Sequence, residues 1–420
     1  METERNALRA ALAARLSAMY AEEVPKYGHL VDATNRINTE HGDGHRDQMR
    51  LGGERHGAVR VASFEELAKM AKLFRAFGME PVGFYDLRTS AKPIPVVSTA
   101  FRPITQASLD ASPFRMFTSV LVDDDERFFS PELTAEIRAR GADRQLFPER
   151  LSALLDQPEG ERDHDILIDL AVEVFRLDHE PFEDAWHERL DAVSPVAADI
   201  AAGRSTHLNH LTPRVVDIEA LHHLMTDEGV EMIEKIQGPP PWAGPDVLLR
   251  QTSFRALDET RNVITEDGVT ERMVRVRFGE VEQRGLALTP QGRAKVDGAA
   301  GDVSALNNTL AHTLEDMARD GDAYVRFVPT GANNPCDINE PWDMVHAGVL
   351  AVEPITYEDF LPASAAGIFA SNLAHGGAAV DDMSDRMGDG ERLRAAVGTL
   401  HDPYALYEAE QAESLRAGGL

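Results

Sequence analysis

The chain carries an internal echo, and a repeat of this kind constrains the architecture before any single residue is considered. Arg55-His56-Gly57-Ala58-Val59-Arg60-Val61 is answered by Asn209-His210-Leu211-Thr212-Pro213-Arg214-Val215, with His and Arg four apart in both and a common offset of 154 (210 − 56 and 214 − 60). Seven residues after each His stands a side chain suited to cap a helix, Ser63 in one copy and Asp217 in the other. The first predicted helix places Phe64, Leu67, Met70, Phe74 and Phe77 on one face and stops at Gly78. The second places Ile218, Leu221 and Met225 on one face and stops near Gly229. Further on, Thr99-Ala100-Phe101-Arg102 matches Thr252-Ser253-Phe254-Arg255 at an offset of 153 (252 − 99), so the register holds to within one residue. Chance similarity does not hold register over such a length.

Strand-like runs complete each copy: Pro81 to Leu87, Val96 to Ile104 and Phe114 to Val122 in the first, Val247 to Leu257 and Met273 to Leu288 in the second. The pattern predicts an α+β chain built on two βαβββ modules, residues 51–129 and 204–300, the second carrying a Glu ligand. An N-terminal helical segment, 1–50, precedes them. A helical insert, 130–203, separates them; in it Ser130 caps and Pro131 opens SPELTAEIRARG, and ERDHDILIDLAVEVFRLDH is amphipathic. Residues 301–420 read as a C-terminal α/β extension covering the site, with a helix from Ala305 to Arg319 and YVRFVP as a strand.

Composition narrows the partners. With 42 Lys and Arg against 71 Asp and Glu, the net charge of −29 repels phosphate backbones and anionic lipid heads, so neither nucleic acid nor a membrane is an expected partner. Hydrophobic content of 43% with 27% charged residues is that of a folding chain and not a disordered one. A single cysteine, Cys336, excludes an intrachain disulfide and a thiolate-rich metal site, leaving His and carboxylates as metal ligands. The stretch METERNALRAALAARLSAMYAEEV is charged throughout and offers no apolar run for a signal peptide or membrane span, which points to the cytoplasm.

Strand residues four apart share a face, so His56 projects with Arg60 and His210 with Arg214, and paired modules can aim both imidazoles at one cavity. Two imidazoles are an incomplete site for iron, manganese or zinc and require an oxygen ligand. Phe278-Gly279-Glu280-Val281-Glu282-Gln283-Arg284-Gly285 supplies Glu280 and Glu282 on one strand face, whereas Phe114 to Val122 in the first copy holds no acid. One mononuclear centre with open positions is therefore expected, with no catalytic residue beyond it. Two acids facing one way are costly unless a cation sits with them. Glu282 also has the simpler reading of an ion pair with Arg284 or another base, and a lone strand His is commonly a structural residue; the repeated spacing favours ligands.

Arg60 beside a ligand suits a clamp on an anionic substrate, with a structural ion pair as the alternative. Arg102, Arg214, Arg255 and Arg284 can hold a second carboxylate or serve core acids, and the sequence does not choose. His41 and His45 sit in a Gly- and Asp-rich loop, adjacent His222 and His223 cannot face one way from a helix, and Asp123 to Asp125 read as a solvated turn. Phe360 to Phe369 reads as a turn into a helix of small residues, suited either to an anion at its amides or to a tight helix crossing.

ERHGAVRV at 54–61, PVGFYDL at 81–87, STAFRPI at 98–104, NHLTPR at 209–214, LLRQTSFRAL at 248–257, FGEVEQRG at 278–285, YEDFLPASAAGIF at 357–369 and HDPYALYEAE at 401–410 occur in order along nearly the whole chain. This series resembles the 2-oxoadipate dioxygenase/decarboxylase (hydroxyglutarate synthase) family of the vicinal oxygen chelate superfamily. EVEQR is also similar to the EIIQR ending of 4-hydroxyphenylpyruvate dioxygenases, whose first Glu binds iron, and this favours Glu280 over Glu282. The resemblance implies two vicinal-oxygen-chelate-type modules forming a cupped sheet, and Fe(II) held by His56, His210 and Glu280. It also implies substrate contact at His56, His210, Arg60 and the amide near Ala363, where family members often carry Val. The implied partners are a 2-oxo dicarboxylic acid and O2, and the implied reaction turns 2-oxoadipate into 2-hydroxyglutarate and CO2, a step of lysine breakdown. Two other readings stay open: an oxygen-independent isomerase or lyase of the same superfamily with Glu280 or Glu282 as base, and a non-catalytic dicarboxylate-binding protein.

Overall fold

The computed structural model of the chain describes residues 2–42, 48–89, 93–275, 277–332, 340–361 and 388–418. Its strands are β1 (Arg55–Val61), β2 (Glu80–Asp86), β3 (Val96–Arg102), β4 (Phe114–Leu121), β5 (Phe182–Glu183) and β6 (Leu208–Pro213). They continue with β7 (Leu249–Ser253), β8 (Asp258–Thr265), β9 (Gly268–Arg275), β10 (Glu280–Arg284), β11 (Val325–Pro329) and β12 (Leu350–Pro354). The chain divides into two compact units. Met1–Ile236, Gln251–Glu282 and Leu361–Leu400 form the first; Gln237–Arg250, Gln283–Phe360 and His401–Leu420 form the second.

The first unit is organised on a five-stranded sheet of order β2-β3-β4-β1-β6. β1 runs parallel to β4 and antiparallel to β6, and every residue of β1, β3, β4 and β6 is buried. This two-sided burial encloses polar and charged side chains along with the apolar ones, His56, Arg60, Arg115 and His210 among them, so each needs a partner inside the protein. Gly57 gives room to the neighbours of β1: a Cβ there would lie 2.7 Å from Met116 Sδ and 2.9 Å from Leu208 Cδ1, and those side chains would have to shift.

The echoed segments fold alike. Ser63 Oγ accepts from the Glu66 amide at the start of helix Phe64–Ala76, whose Leu67, Met70 and Phe74 are buried, and Gly78 takes φ +69° just past its end. Asp217 likewise accepts from the Ala220 amide at the start of helix Ile218–Asp227, which buries Ile218, Leu221 and Met225. In the first copy the strands order as second, third, fourth, first. In the second copy Met232 bridges Phe254, β7 pairs with β10, and Glu282 bridges Arg214 in parallel.

Two elements depart from the sequence expectation. The run from Met273 to Leu288 is broken between β9 and β10, because β8 and β9 form a hairpin in register from Asp258↔Arg275 to Thr265↔Gly268. Charged and exposed residues dominate this hairpin, so it lacks the apolar signal that marks buried strands. The helix expected over Ala305 to Arg319 is two, Val303–Thr309 and Leu314–Arg319, since Thr313 caps a new start by accepting from the Asp316 amide. The insert holds helices Pro131–Gly141, Glu149–Asp156, His164–Val174, Asp184–Asp191 and Pro195–Ala201. In the second unit β11 and β12 pair over a core of Val325, Phe327, Met344, Val349 and Leu350. Among the described residues no helix is long and apolar enough to cross a membrane.

Buried charge ties the main sheet together. Glu54, fully buried just before β1, receives Arg115 Nη1 of β4 at 2.8 Å and Arg214 Nη1 beyond β6 at 2.9 Å. Removing one partner of such a cluster strands the other charges in a low-dielectric interior. Glu54→Ala is expected to lose about 3–5 kcal/mol of stability in urea unfolding at neutral pH; a loss below about 1 kcal/mol would show that the two arginines do not depend on it.

Candidate metal centre

The β1–β6 ladder sets His56 opposite Thr212 and Ala58 opposite His210, so the two imidazoles meet across neighbouring strands. Their ring centroids are 5.4 Å apart at an interplanar angle of 90°. β10 brings the acid: Glu280 Oε1 lies 3.2 Å from His56 Nε2, and Glu280 Oε2 lies 3.9 Å from His210 Nδ1. One ligand atom from each of His56, His210 and Glu280 falls within 4.8 Å of the others, and all three residues are buried. Among the described residues no other trio of His, Cys, Asp or Glu converges in this way.

The surroundings hold these side chains in place. Glu282 Oε2 sits 2.8 Å from His56 Nδ1, on the far side of the ring from Glu280. Gln251 Nε2 donates to Glu280 Oε1, His210 Nδ1 is 3.0 Å from Thr212 Oγ1, and the Phe278 ring stacks on His210 with centroids 4.9 Å apart. Gly279 lets the Phe254 ring approach, since a Cβ there would lie 2.0 Å from it.

Electrostatics separate the two imidazoles. Burial drives the His210 pKa well below its ordinary value, reinforced by His56 and Arg60, so this ring is neutral and ready to donate a lone pair. Burial also pulls His56 down, but Glu282 and Glu280 outweigh it and hold its pKa above the ordinary value. Burial pushes the Glu280 carboxyl up, with His56 only partly opposing. Two buried carboxylates beside two imidazoles and no thiolate suit a divalent cation, which offsets their charge and accepts nitrogen and oxygen donors together.

The other sequence candidates lie as follows. Arg60 is buried, and its Nη1 pairs with Asp199 on helix Pro195–Ala201. Asp199 also accepts from Asn209 Nδ2 at 3.1 Å and faces His207 Nε2 at 3.3 Å. Arg214 serves Glu54, Arg284 Nη1 donates to the Tyr357 and Asp359 carbonyls, Arg102 Nη1 donates to the Pro103 carbonyl, and Arg255 pairs with Glu231. His41 meets Asp217 at the surface, and His222 Nδ1 is 2.8 Å from Thr252 Oγ1. His45, Cys336 and Ala363 lie outside the described residues. Sequence reasoning missed Asp199 and Gln251. Gln251 stands next to the echoed Thr252-Ser253-Phe254-Arg255 block, a usable signal; Asp199 sits in an insert with no repeat to mark it.

An α+β protein with two histidines and one carboxylate converging in a buried cluster has the donor set of the non-haem, metal-dependent oxygenase class. The chain belongs to the 2-oxoadipate dioxygenase/decarboxylase family, whose model matches residues 12–372. It is 48% identical over 425 residues to the 2-oxoadipate dioxygenase/decarboxylase of Mycobacterium bovis, covering 97% of both chains. Among solved structures it is similar to the hydroxyglutarate synthase of Pseudomonas putida in complex with 2-oxoadipate, with a TM-score of 0.86, 34% identity, and 99% of this chain and 98% of that one covered. A protein assigned to the glyoxalase superfamily from Ralstonia eutropha shares the fold alone, with a TM-score of 0.50 and 24% identity over 66% of this chain and 82% of its own.

The Arg60–Asp199 pair yields a pH prediction. Burial raises the Asp199 pKa, but His207 and Arg60 outweigh that and hold the carboxyl below its usual range. A carboxyl depressed on folding contributes stability above its unfolded value of about 3.9, and loses it as pH falls through the lower folded value. Asp199→Asn is expected to be less stable than wild type at pH 7 by about 1–3 kcal/mol. In urea melts taken at successively lower pH that gap should narrow below about pH 4; a gap independent of pH would show that the Asp199 charge does not stabilise the fold.

Proposed function

We propose that this chain is an Fe(II)-dependent dioxygenase/decarboxylase that converts 2-oxoadipate and O2 into 2-hydroxyglutarate and CO2, a reaction of lysine breakdown, in the cytoplasm. The observation that carries the proposal is the convergence of His56, His210 and Glu280 in one buried cluster of a chain that belongs to this family. In this reading those three side chains hold the metal on one face. When bound, Fe(II) supplies a Lewis acid that a 2-oxo acid can chelate and an open position for O2.

The chain's own residues do the rest. Arg60 presents a guanidinium suited to a substrate carboxylate, and Asp199 holds that guanidinium from the insert. The substrate carboxylate meets an arginine already oriented by an acid, so the pair tunes affinity as well as position. His56 and His210 line the same face, with Phe278 stacked on His210 to exclude water there. The amide near Ala363 belongs to the proposal on the strength of its motif alone. The matching strand pairings of the two echoed copies support two βαβββ modules, 51–129 and 204–300, of the kind that form a cupped sheet.

The test is simultaneous measurement of O2 uptake, CO2 release and 2-hydroxyglutarate with Fe(II)-loaded protein and 2-oxoadipate. The wild type is expected to release one CO2 for each O2 consumed and to stop when O2 is removed. Glu280→Gln should lose activity by more than about 100-fold, beyond what loss of an outer hydrogen-bonding partner causes. Arg60→Met should raise KM roughly tenfold or more, the worth of a charge-assisted hydrogen bond. Turnover that continues without O2 would move the assignment to an isomerase or lyase; affinity for the dicarboxylate without turnover would leave a binding protein.

A further inference from the structure

Glu282 lies next to the proposed metal cluster without being part of the converging trio. Strand alternation places it on the same face of β10 as Glu280, and the two carboxylates address opposite nitrogens of one ring. Glu280 Oε1 is 3.2 Å from His56 Nε2, and Glu282 Oε2 is 2.8 Å from His56 Nδ1. An imidazole offers a metal one nitrogen, and what the other nitrogen bonds to decides tautomer, aim and basicity.

We propose that Glu282 is a positioning residue: its carboxylate, in ion-pair contact with His56 Nδ1, fixes the ring so that Nε2 is presented to the metal beside Glu280. The backbone supports this role. The Val215 amide donates to the Glu282 carbonyl at 2.8 Å, and residue 282 bridges Arg214, so Glu282 is pinned to the segment that follows His210. The aim of the first-copy histidine is thereby set by a carboxylate anchored to the second copy. Glu282 is 0% exposed, which leaves water no access to screen its charge from the ring. The inference rests on the metal-centre reading above.

The experiment is calorimetric titration of metal-free, full-length protein with Co(II), together with its visible absorption as a report of coordination. Wild type, Glu280→Gln, Glu282→Gln and Glu282→Ala are compared, each checked for folding by circular dichroism. Glu282→Ala is expected to bind Co(II) roughly 10–100-fold more weakly than wild type, the usual cost of losing an outer partner to a ligating histidine. Glu282→Gln has the same size and keeps an acceptor oxygen but loses the charge, so it should fall about tenfold, at the mild end of that range, with an unchanged absorption spectrum. It carries the test alone if Glu282→Ala does not fold. Glu280→Gln should lose the most.

Unchanged affinity in a folded Glu282 variant overturns the inference and leaves the metal centre standing. So does a Glu282→Gln protein that loses Co(II) as completely as Glu280→Gln, because Glu282 would then be a direct ligand. A wild type that takes up no Co(II) overturns the metal centre and the inference with it.

Discussion

Two carboxylates closed around one imidazole in a dry interior make the constraint on which this structure depends. Isolated carboxylates buried as deeply as Glu280 and Glu282 carry a desolvation penalty of several kcal/mol each, so they persist only where donors and positive charge close round them. His56 stands between them, Gln251 donates to Glu280, and His210 faces Glu280 from the neighbouring strand. The remaining negative charge is what a divalent ion offsets, and the neutral His210 is the kind of ligand such an ion accepts.

A cluster of this charge density needs a frame that does not give. β1 is buried on both faces and paired on both edges, so its His56 has little freedom of position. Glu54 adds an electrostatic tie at the start of the strand, drawing Arg115 and Arg214 onto one carboxylate. Gly57 and Gly279 contribute by what they lack, allowing Met116 and Leu208 to close on β1 and Phe254 to close beside Glu280. Close packing around the strands that carry His56, His210 and Glu280 keeps their donor atoms at fixed separations, a condition that a metal site requires.

Arg60 shows how a scaffold outside the echo reaches this site. The helix Pro195–Ala201 belongs to the insert between the two copies, yet its Asp199 engages Arg60 and also meets Asn209, next to His210. The insert therefore has a chemical as well as a packing relation to β1: it presents an acid that holds the guanidinium of Arg60, the side chain proposed above to meet a substrate carboxylate. Family membership and donor geometry arrive at the same class of chemistry from separate grounds, one from identity along the chain and the other from atoms in the core.

That His56, His210, Glu280 and Glu282 come together was legible in the sequence because a repeat marks equivalent positions and strand alternation assigns acids to a face. The capped helices were legible for the same local reason: Ser63 and Asp217 lie at one distance from each His, and their bonds span only three residues. The β8–β9 hairpin was not, because its strands are mostly exposed and carry charge where buried strands carry an apolar pattern. Spacing also left undecided what each buried charge meets. That Arg214 serves Glu54, Arg60 meets Asp199, and Glu282 faces the far nitrogen of His56 are facts of tertiary structure. Those partners lie 160, 139 and 226 positions apart (214 − 54, 199 − 60 and 282 − 56). The amino-acid order determined which residues are able to bind an ion. Only the packed sheet decided which acid takes which side of the ring, because Coulomb energy and hydrogen bonding depend on separations of a few ångströms that local periodicity does not encode.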